Sequence, residues 1–417
     1  MRTSERLFER LLSRLMRRGV LSVTYSGGEV RTYGAPDPEL PEIAIRLTDP
    51  AVARDILRDP RLGLGESYMD GRLVVERGDV MQMVALLRAQ RPWEEGRRLA
   101  APSVPRRIAS GATAFARSFN RPGSARRNVA HHYDIGNALY RLMLDPEHMQ
   151  YSCAYWSRED MDLGQAQEAK LAHIAAKLAL RPGLRVLDIG CGWGGMAIFL
   201  AQRAGVSVLG ITLSREQLDL ARQRAEEAGV ADRVRFELLD YRELARSGEQ
   251  FDRIVSVGMF EHVGRPQFET YFRACARMLA DDGTMLLHTI GRMGRPGQTD
   301  SFTDKWIFPG GYIPALSETV AASERVRLIV TDVETLRLHY ARTLREWYAR
   351  IVANREAVVA LHDERFFRLW TFYLAGAASA FESGGLCNYQ IQYAKRRDAL
   401  PLTRTYMEQA EAALLAR

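Results

Sequence analysis

Residues Val186 to Gly195, VLDIGCGWGG, put an apolar run, a carboxylate and four glycines within ten positions. Val186, Leu187 and Ile189 form the short apolar stretch of a buried parallel strand, with Asp188 near its carboxyl end. Gly190, Gly192 and Gly194 remove the side chains that would keep a ligand off the backbone. The set Gly190, Gly192, Gly195 fits the G-x-G-x-x-G of a dinucleotide site. The set Gly190, Gly192, Gly194 fits the G-x-G-x-G of an S-adenosylmethionine (SAM) methyltransferase equally well. The motif alone admits both.

The next elements of the chain separate the two. A helix expected from about Trp193 to Ala204 leads to a second strand, Val206 to Ile211. That strand runs into Thr212-Leu213-Ser214 with no acidic residue to hold the ribose of NAD. Thr212 and Gln217 offer neutral partners for a ribose, with Leu213 in the same turn. The third strand, Val234 to Leu238, ends at Asp240-Tyr241, where a carboxylate can accept from an adenine amino group beside a ring that can pack on the base. This pairing favours SAM. Further strands are expected near Arg185 to Ile189, Arg253 to Val257 and Thr284 to Thr289, then a final pair within Val326 to His339. The alternation of strands and helices predicts an α/β fold: a Rossmann-like methyltransferase domain with a doubly wound, mostly parallel sheet and helical lid insertions, preceded by a smaller N-terminal α/β domain.

Seven short words carry the pattern along the chain: HHYDIGN (131 to 137), MQYSCAYW (149 to 156), DIGCGWGG (188 to 195), GITLSREQ (210 to 217), MFEHVG (259 to 264), LLHTIG (286 to 291) and WIFPGGYIP (306 to 314). In these the chain resembles the cyclopropane-fatty-acyl-phospholipid synthase family, together with the enzymes that cyclopropanate mycolic acids. The resemblance runs from about Asn128 into the C-terminal region, and a weaker run, Arg61 to Gly71, carries it into the N-terminal part.

The resemblance implies a reaction in which the cis double bond of an acyl chain attacks the sulfonium methyl of SAM. A carbocation results, and an unpaired charge in an apolar pocket is strongly disfavoured. Opposite charges ~4 Å apart at an effective dielectric of ~20 gain roughly 4 kcal/mol. A nearby anion therefore lowers the barrier, and it can also take the proton whose loss closes the ring. In the family that anion is bicarbonate. Its cradle carries over to Cys153 of YSC, Glu261 of FEH, His288 and Ile290 of HTI, and Tyr340 after the last strands. Cys153, His288, Tyr340 and the Ile290 N–H can donate to the anion, while Glu261 accepts its hydroxyl proton and orients it. Tyr151 and Ser152 are expected at the methionine end of SAM. His131, His132 and Tyr133 either order a lid over SAM or pack an entry helix. Some family members are credited with a cysteine in the C-terminal helical region. The matching stretch here, Tyr373 to Ala378, has none, which argues against a covalent thiol. Cys191 and Cys275 are expected to be packing residues.

A chain of 417 residues, 47% hydrophobic, can bury more than one core. The expected division is a small α/β domain over 1–95, a basic linker over 96–127 and the catalytic domain over 128–417. In the first, Val20 to Tyr25 and Val30 to Tyr33 flank Ser26-Gly27-Gly28 as a hairpin, Pro41 to Leu47 continues the sheet, and Ala51 to Leu57 and Val80 to Leu87 are helical. Helices are also expected over Gln165 to Leu180, Leu344 to Ala360 and Glu364 to Phe381. The aromatic residues of the last two either wall an acyl channel or form an ordinary core. No uninterrupted apolar stretch is long enough to cross a bilayer and no signal peptide is recognisable, so a cytoplasmic protein is expected. The four scattered cysteines, with no C-x-x-C pair, suggest neither disulfides nor a metal site.

A net charge of +7 favours a polyanionic partner. The N-terminal stripe Leu7, Leu11, Leu15 with Phe8, Leu12 and Met16, beside Arg6, Arg10, Arg14, Arg17 and Arg18, either lies on a bilayer or docks on the protein. The basic stretches lack interleaved stacking aromatics, so nucleic acid is not expected as a partner. The expected partners are unsaturated phospholipid acyl chains and the anionic inner surface of the membrane, and the resemblance is compatible with a homodimer. Two other readings stand beside this one: a SAM-dependent lipid C-methyltransferase that leaves a methylene- or methyl-branched chain, and a non-catalytic lipid-binding module.

Overall fold

Alternating apolar positions build the first sheet in the computed structural model, which describes residues 2–96 and 136–416. Leu21 and Val23 of β1 (Gly19–Thr24) are buried, as are Ile43, Ile45 and Leu47 of β3 (Ile43–Leu47). β2 (Val30–Ala35) pairs antiparallel with β1 through the expected glycine turn, where Gly28 has φ +85°. β4 (Leu73–Arg77), not anticipated from sequence, completes the order β2-β1-β3-β4. The N-terminal helix Thr3–Leu15 buries Phe8 and Leu12, with Met16 just beyond it, while Leu7 is 49% exposed. Much of the apolar stripe is therefore docked within its own unit.

Among the described residues, two units form: one holds residues up to 96 with 300–309 and 344–385, the other 136–299, 310–343 and 386–416. A division of the chain at one linker does not anticipate this grouping. Its local cause is visible at Gly65 on the helix Pro60–Met69, where a Cβ would overlap Phe302 and come within 2.8 Å of Phe372. Trp370, on the helix Glu364–Glu382, is fully buried, and Phe302 and Phe372 meet edge to face at 4.9 Å. Most of the C-terminal aromatic residues thus serve a core. The expected linker from residue 97 onward and His131, His132 and Tyr133 lie outside the described residues.

The second unit carries a seven-stranded sheet of β5 (Arg185–Ile189), β6 (Ser207–Thr212), β7 (Val234–Leu238), β8 (Phe251–Val257), β9 (Leu279–Arg292), β10 (Ile329–Leu336) and β11 (Leu386–Ala394). Its order is β10-β11-β9-β8-β5-β6-β7. β5 to β9 are mutually parallel through their pairings, and β11 runs antiparallel to β9 and β10. Val186 packs with the helices Leu163–Lys177 and Gly195–Ala204 on one face, and Leu187 packs with the helix Phe268–Met278 on the other. This is the doubly wound arrangement. The chain leaves β5 for β6 on one side and reaches β8 on the other, and ligands of such sheets bind in the crevice at that reversal.

One strand expectation is corrected. Only β10 lies within Val326 to His339; its partner is β11, fifty residues later in sequence by its first residue (336 to 386). Asn388, Gln390 and Gln392 alternate with Cys387, Tyr389, Ile391 and Tyr393, and all are buried. Three buried amides on one face disguise an interior strand. Among the described residues no helix is long and apolar enough to cross a membrane.

Candidate active site

The glycine turn after β5 divides its labour residue by residue. Gly192, at φ +54°, has nothing within 4 Å of where a Cβ would stand, and it borders a cleft of about 1110 Å³ that includes its open mouth. Gly190, at φ +82°, would place a Cβ 2.8 Å from Met259 Cβ. Gly194 faces away from the cleft, where a Cβ would lie 2.6 Å from Phe236 Cζ, so its absence of a side chain lets the helix Gly195–Ala204 approach the sheet. At Gly195 a Cβ would overlap His148 O. Two alanine substitutions should separate these roles. Gly192→Ala is expected to raise the KM for SAM about tenfold or more, because a methyl enters ligand space. Gly195→Ala is expected to cost about 1–3 kcal/mol of stability, because backbone must move. SAM titration and thermal melting of both variants check this; equal effects of the two on binding would contradict it.

The cleft is also lined by Tyr151, Ser152, Asp188, Thr212, Leu213, Gln217, Asp240 and Tyr241. Thr212 Oγ1 donates to Gln217 Oε1 at 2.8 Å, and Ser214 caps the helix that carries Gln217, so the two expected ribose partners are held together. Asp240 is buried and receives Arg242 through Nε on Oδ1 at 2.8 Å and Nη2 on Oδ2 at 2.6 Å. Oδ1 also accepts from the Arg242 backbone N–H at 2.9 Å, so Arg242 fixes the orientation of the carboxylate through both of its oxygens. Tyr241 packs edge to face on Tyr271 at 5.4 Å. Asp188 keeps Oδ2 buried without a hydrogen-bond partner, and burial raises its carboxyl to about 7.

A second group of residues is set around the ends of β8 and β9. Glu261 follows β8, is buried, and accepts from Ile290 N at 2.6 Å through Oε1, while Oε2 has no hydrogen-bond partner. Burial pushes its carboxyl up to about 7, opposed by its own backbone N–H, by the Ile290 N–H and by the Thr289 side chain. Met259 and His262, on either side of it in sequence, line the cleft. His288 lies on β9 with both ring nitrogens 3.2 Å from side-chain amides of β11. Cys153 is fully buried, its Sγ 3.3 Å from Ala154 O, and burial holds the thiol protonated as a donor.

The segment that carries Tyr151, Ser152 and Cys153 is pinned along its length. Asp145 accepts the N–H groups of His148 at 2.6 Å, Met149 at 3.1 Å and Gln150 at 3.0 Å. Ala154 N donates to Thr343 Oγ1 at 3.1 Å, and Trp156 N donates to His339 Nδ1 at 3.0 Å. These bonds tie Cys153 to the first turn of the helix His339–Ala353, where buried Tyr340 stands. Glu261 and Ile290 are thus joined directly, and Cys153 and Tyr340 are joined through their segments.

Lys170 is the principal residue that sequence reading missed. It is fully buried, donates to Gln150 Oε1 and to Ser152 Oγ at 3.0 Å, and its charge acts on both Asp188 and Cys153. Burial lowers it to about 7. A signal was present: Lys170, His173 and Lys177 repeat at helical spacing on a helix otherwise rich in Ala, Leu and Ile. Arg242, Gln150, Met259 and His262 were likewise missed as lining residues. Among the described residues, no cluster of His, Cys, Asp and Glu has the form of a metal site.

The arrangement matches known proteins. A family model described as mycolic acid cyclopropane synthetase matches residues 121–391, and one described as a domain of unknown function matches 7–91. The chain is 41% identical over 356 residues to the cyclopropane-fatty-acyl-phospholipid synthase of Escherichia coli (strain K12), covering 84% of this chain and 87% of that protein. It is 35% identical over 412 residues to the tuberculostearic acid methyltransferase of Mycobacterium tuberculosis (strain ATCC 25618 / H37Rv), covering 93% and 90%. Among solved structures, mycolic acid cyclopropane synthase CmaA1 complexed with SAH and CTAB aligns with a TM-score of 0.61 at 35% identity, over 65% of this chain and 97% of that one.

Proposed function

The chain belongs to the mycolic acid cyclopropane synthetase family, and from that premise we propose that it methylenates the cis double bond of an unsaturated acyl chain in a membrane phospholipid, with SAM as donor. The observation that carries this reading is the buried, unpartnered Oε2 of Glu261 beside a SAM-sized cleft. A buried carboxylate oxygen calls for a hydrogen-bond donor. A hydroxyl-bearing anion such as bicarbonate supplies one, so the residues present fit that group. When bound, bicarbonate brings the negative charge and the base that the carbocation requires. Glu261 accepts its hydroxyl and sets its orientation, Cys153 and Tyr340 donate from the opposite segment, and the Ile290 amide is shared between Glu261 and the anion. Asp240 and Tyr241 take the adenine, Thr212 and Gln217 the ribose, and Tyr151 and Ser152 the methionine end of SAM.

A cytoplasmic protein working peripherally on the membrane is the setting that suits this substrate. On the N-terminal helix, Arg6, Arg10 and Arg14 are exposed and form no salt bridge among the described residues. They are available to anionic headgroups. The residues 1–95 are proposed as the lipid-associating domain and 128–417 as the catalytic one. The relative named as a tuberculostearic acid methyltransferase, similar over nearly the whole chain, favours a second reading in which the same carbocation is resolved into a methylene- or methyl-branched chain. Incubation with SAM and unsaturated phospholipid vesicles is expected to give acyl chains heavier by one methylene. Proton NMR then decides between the readings: high-field ring signals mark the cyclopropane, and their absence from a product of that mass marks the branched chain. No mass change at all overturns both.

A further inference from the structure

His288 can carry its single ring proton on either nitrogen, and its surroundings decide which. Gln390 stands directly opposite His288 in the β9/β11 register, with Nε2 3.2 Å from His288 Nδ1. The orientation of the Gln390 amide is not free. Its Oε1 accepts from Lys177 Nζ at 2.7 Å, and an ammonium only donates, so the amide must turn its oxygen to Lys177 and its NH2 to the ring. Lys177 is itself fixed: it is buried and paired with Glu334, which also meets His173 Nε2 at 2.7 Å, while His173 Nδ1 meets Glu411 at 2.7 Å. His173 and Lys177 hold Glu334 down at about 2 against the opposing effect of burial, so it remains an anion.

We propose that Lys177, acting through Gln390, locks His288 in the tautomer with the proton on Nε2, so that the ring's one N–H lies on the side where Asn388 is its partner, and a bound anion reaches it only by sharing or displacing that amide. An NH2 facing Nδ1 requires a lone pair there. Burial, with Lys170, Lys177 and His173 nearby, keeps the ring neutral by holding it well below the ordinary imidazole range, which leaves the one proton for Nε2. Asn388 supplies an independent sign. Its Nδ2 lies 3.2 Å from His288 Nε2 while its Oδ1 is buried with no partner, an arrangement that a 180° turn of the amide converts into an Nε2–H donor bond to oxygen. Lys177 and Gln390 are positioning residues in this scheme. The functional part rests on the proposed placement of His288 in the active site; the tautomer itself does not.

Nitrogen-15 NMR of the full chain labelled at histidine tests it, with the His288 signals assigned by their loss in His288→Gln. Wild type is expected to show His288 Nδ1 bare and Nε2 protonated; a protonated Nδ1 overturns the proposal. In Gln390→Glu, a carboxylate shared with Lys177 accepts from the ring, so Nδ1 is expected to become protonated, and a bare Nδ1 there also overturns it. The same variant is expected to lose about 10²-fold in kcat with the KM for SAM unchanged. A shifted proton with full kcat removes the catalytic consequence, and full activity in His288→Gln removes the active-site reading while leaving the tautomer assignment intact.

Discussion

Glu261→Gln is expected to lower kcat by about 10²–10³-fold while SAM still binds. Glu261 accepts from the Ile290 amide and is not among the residues that line the cleft, so the substitution leaves the cleft lining intact. It replaces an acceptor by an NH2 at a buried point where the proposed hydroxyl must be received, and turning the amide over sets NH2 against the Ile290 N–H instead. Neither orientation restores two acceptors. The wild-type enzyme should also show an acid limb in kcat/KM near pH 7, because Glu261, raised to about 7 by burial, loses its acceptor oxygen on protonation. Activity falls as pH drops through that value. Turnover of unsaturated vesicles across pH, alongside SAM titration of the variant, checks both statements. A variant with wild-type kcat would show that the orphaned oxygen has no part in the chemistry.

Lys170→Met is expected to cost about 3–5 kcal/mol of stability, because it removes one partner of a buried, charge-balanced group. Gln150 Oε1 and Ser152 Oγ lose their donor, and Asp188 loses the cation that opposes its burial. The pH dependence gives a signature beyond the loss itself. Lys170 has an ordinary value of 10.5 and is lowered to about 7 in the fold. Between those values the unfolded chain holds a proton that the folded chain has released, so Lys170 makes stability rise with pH from about 7 to about 10. Asp188 has an ordinary value of 3.8 and is raised to about 7, so the folded chain holds the extra proton and stability falls with pH from about 4 to 7. The methionine variant should keep the fall and carry it to higher pH, because Asp188 without the cation titrates higher still, and should lose the rise. Denaturant melts at pH 5, 7 and 9, conditions chosen to bracket the roughly neutral crossing point, read this directly; an unchanged alkaline limb would contradict the assignment.

The fold was legible where apolar pattern and turn chemistry agreed. β5, β7 and the helix Glu364–Glu382 fall close to the expected positions because their apolar runs end at Gly, Asp or Ser. β11 was hidden because one of its two buried faces is amide: Asn388, Gln390 and Gln392 read as solvent-facing until β9, β10 and Lys177 stand around them. The lining of the cleft was largely readable, since Asp188, Gly190, Gly192, Thr212 and Asp240 sit at strand ends or in the turns directly after them. Arg242 escaped notice because an arginine two residues beyond an aspartate is common on surfaces, and only the fold buries this pair. Lys170 escaped for a similar reason. A lysine in an alanine-rich helix suggests a solvent face until every neighbouring position is buried as well.

The late strand has a consequence for how the molecule is made. β9 carries His288 and Ile290, and its neighbour in the sheet is Leu386–Ala394, which leaves the ribosome only after the intervening helices. Until then β9 is an open edge, with unpaired backbone groups that invite association with other chains. A nascent polypeptide stopped before residue 386 lacks the amides that surround His288, so it can neither close its sheet nor set that imidazole. Closure of this sheet therefore waits on Leu386–Ala394, and a product truncated before that strand is expected to associate through the open edge of β9 or to be degraded.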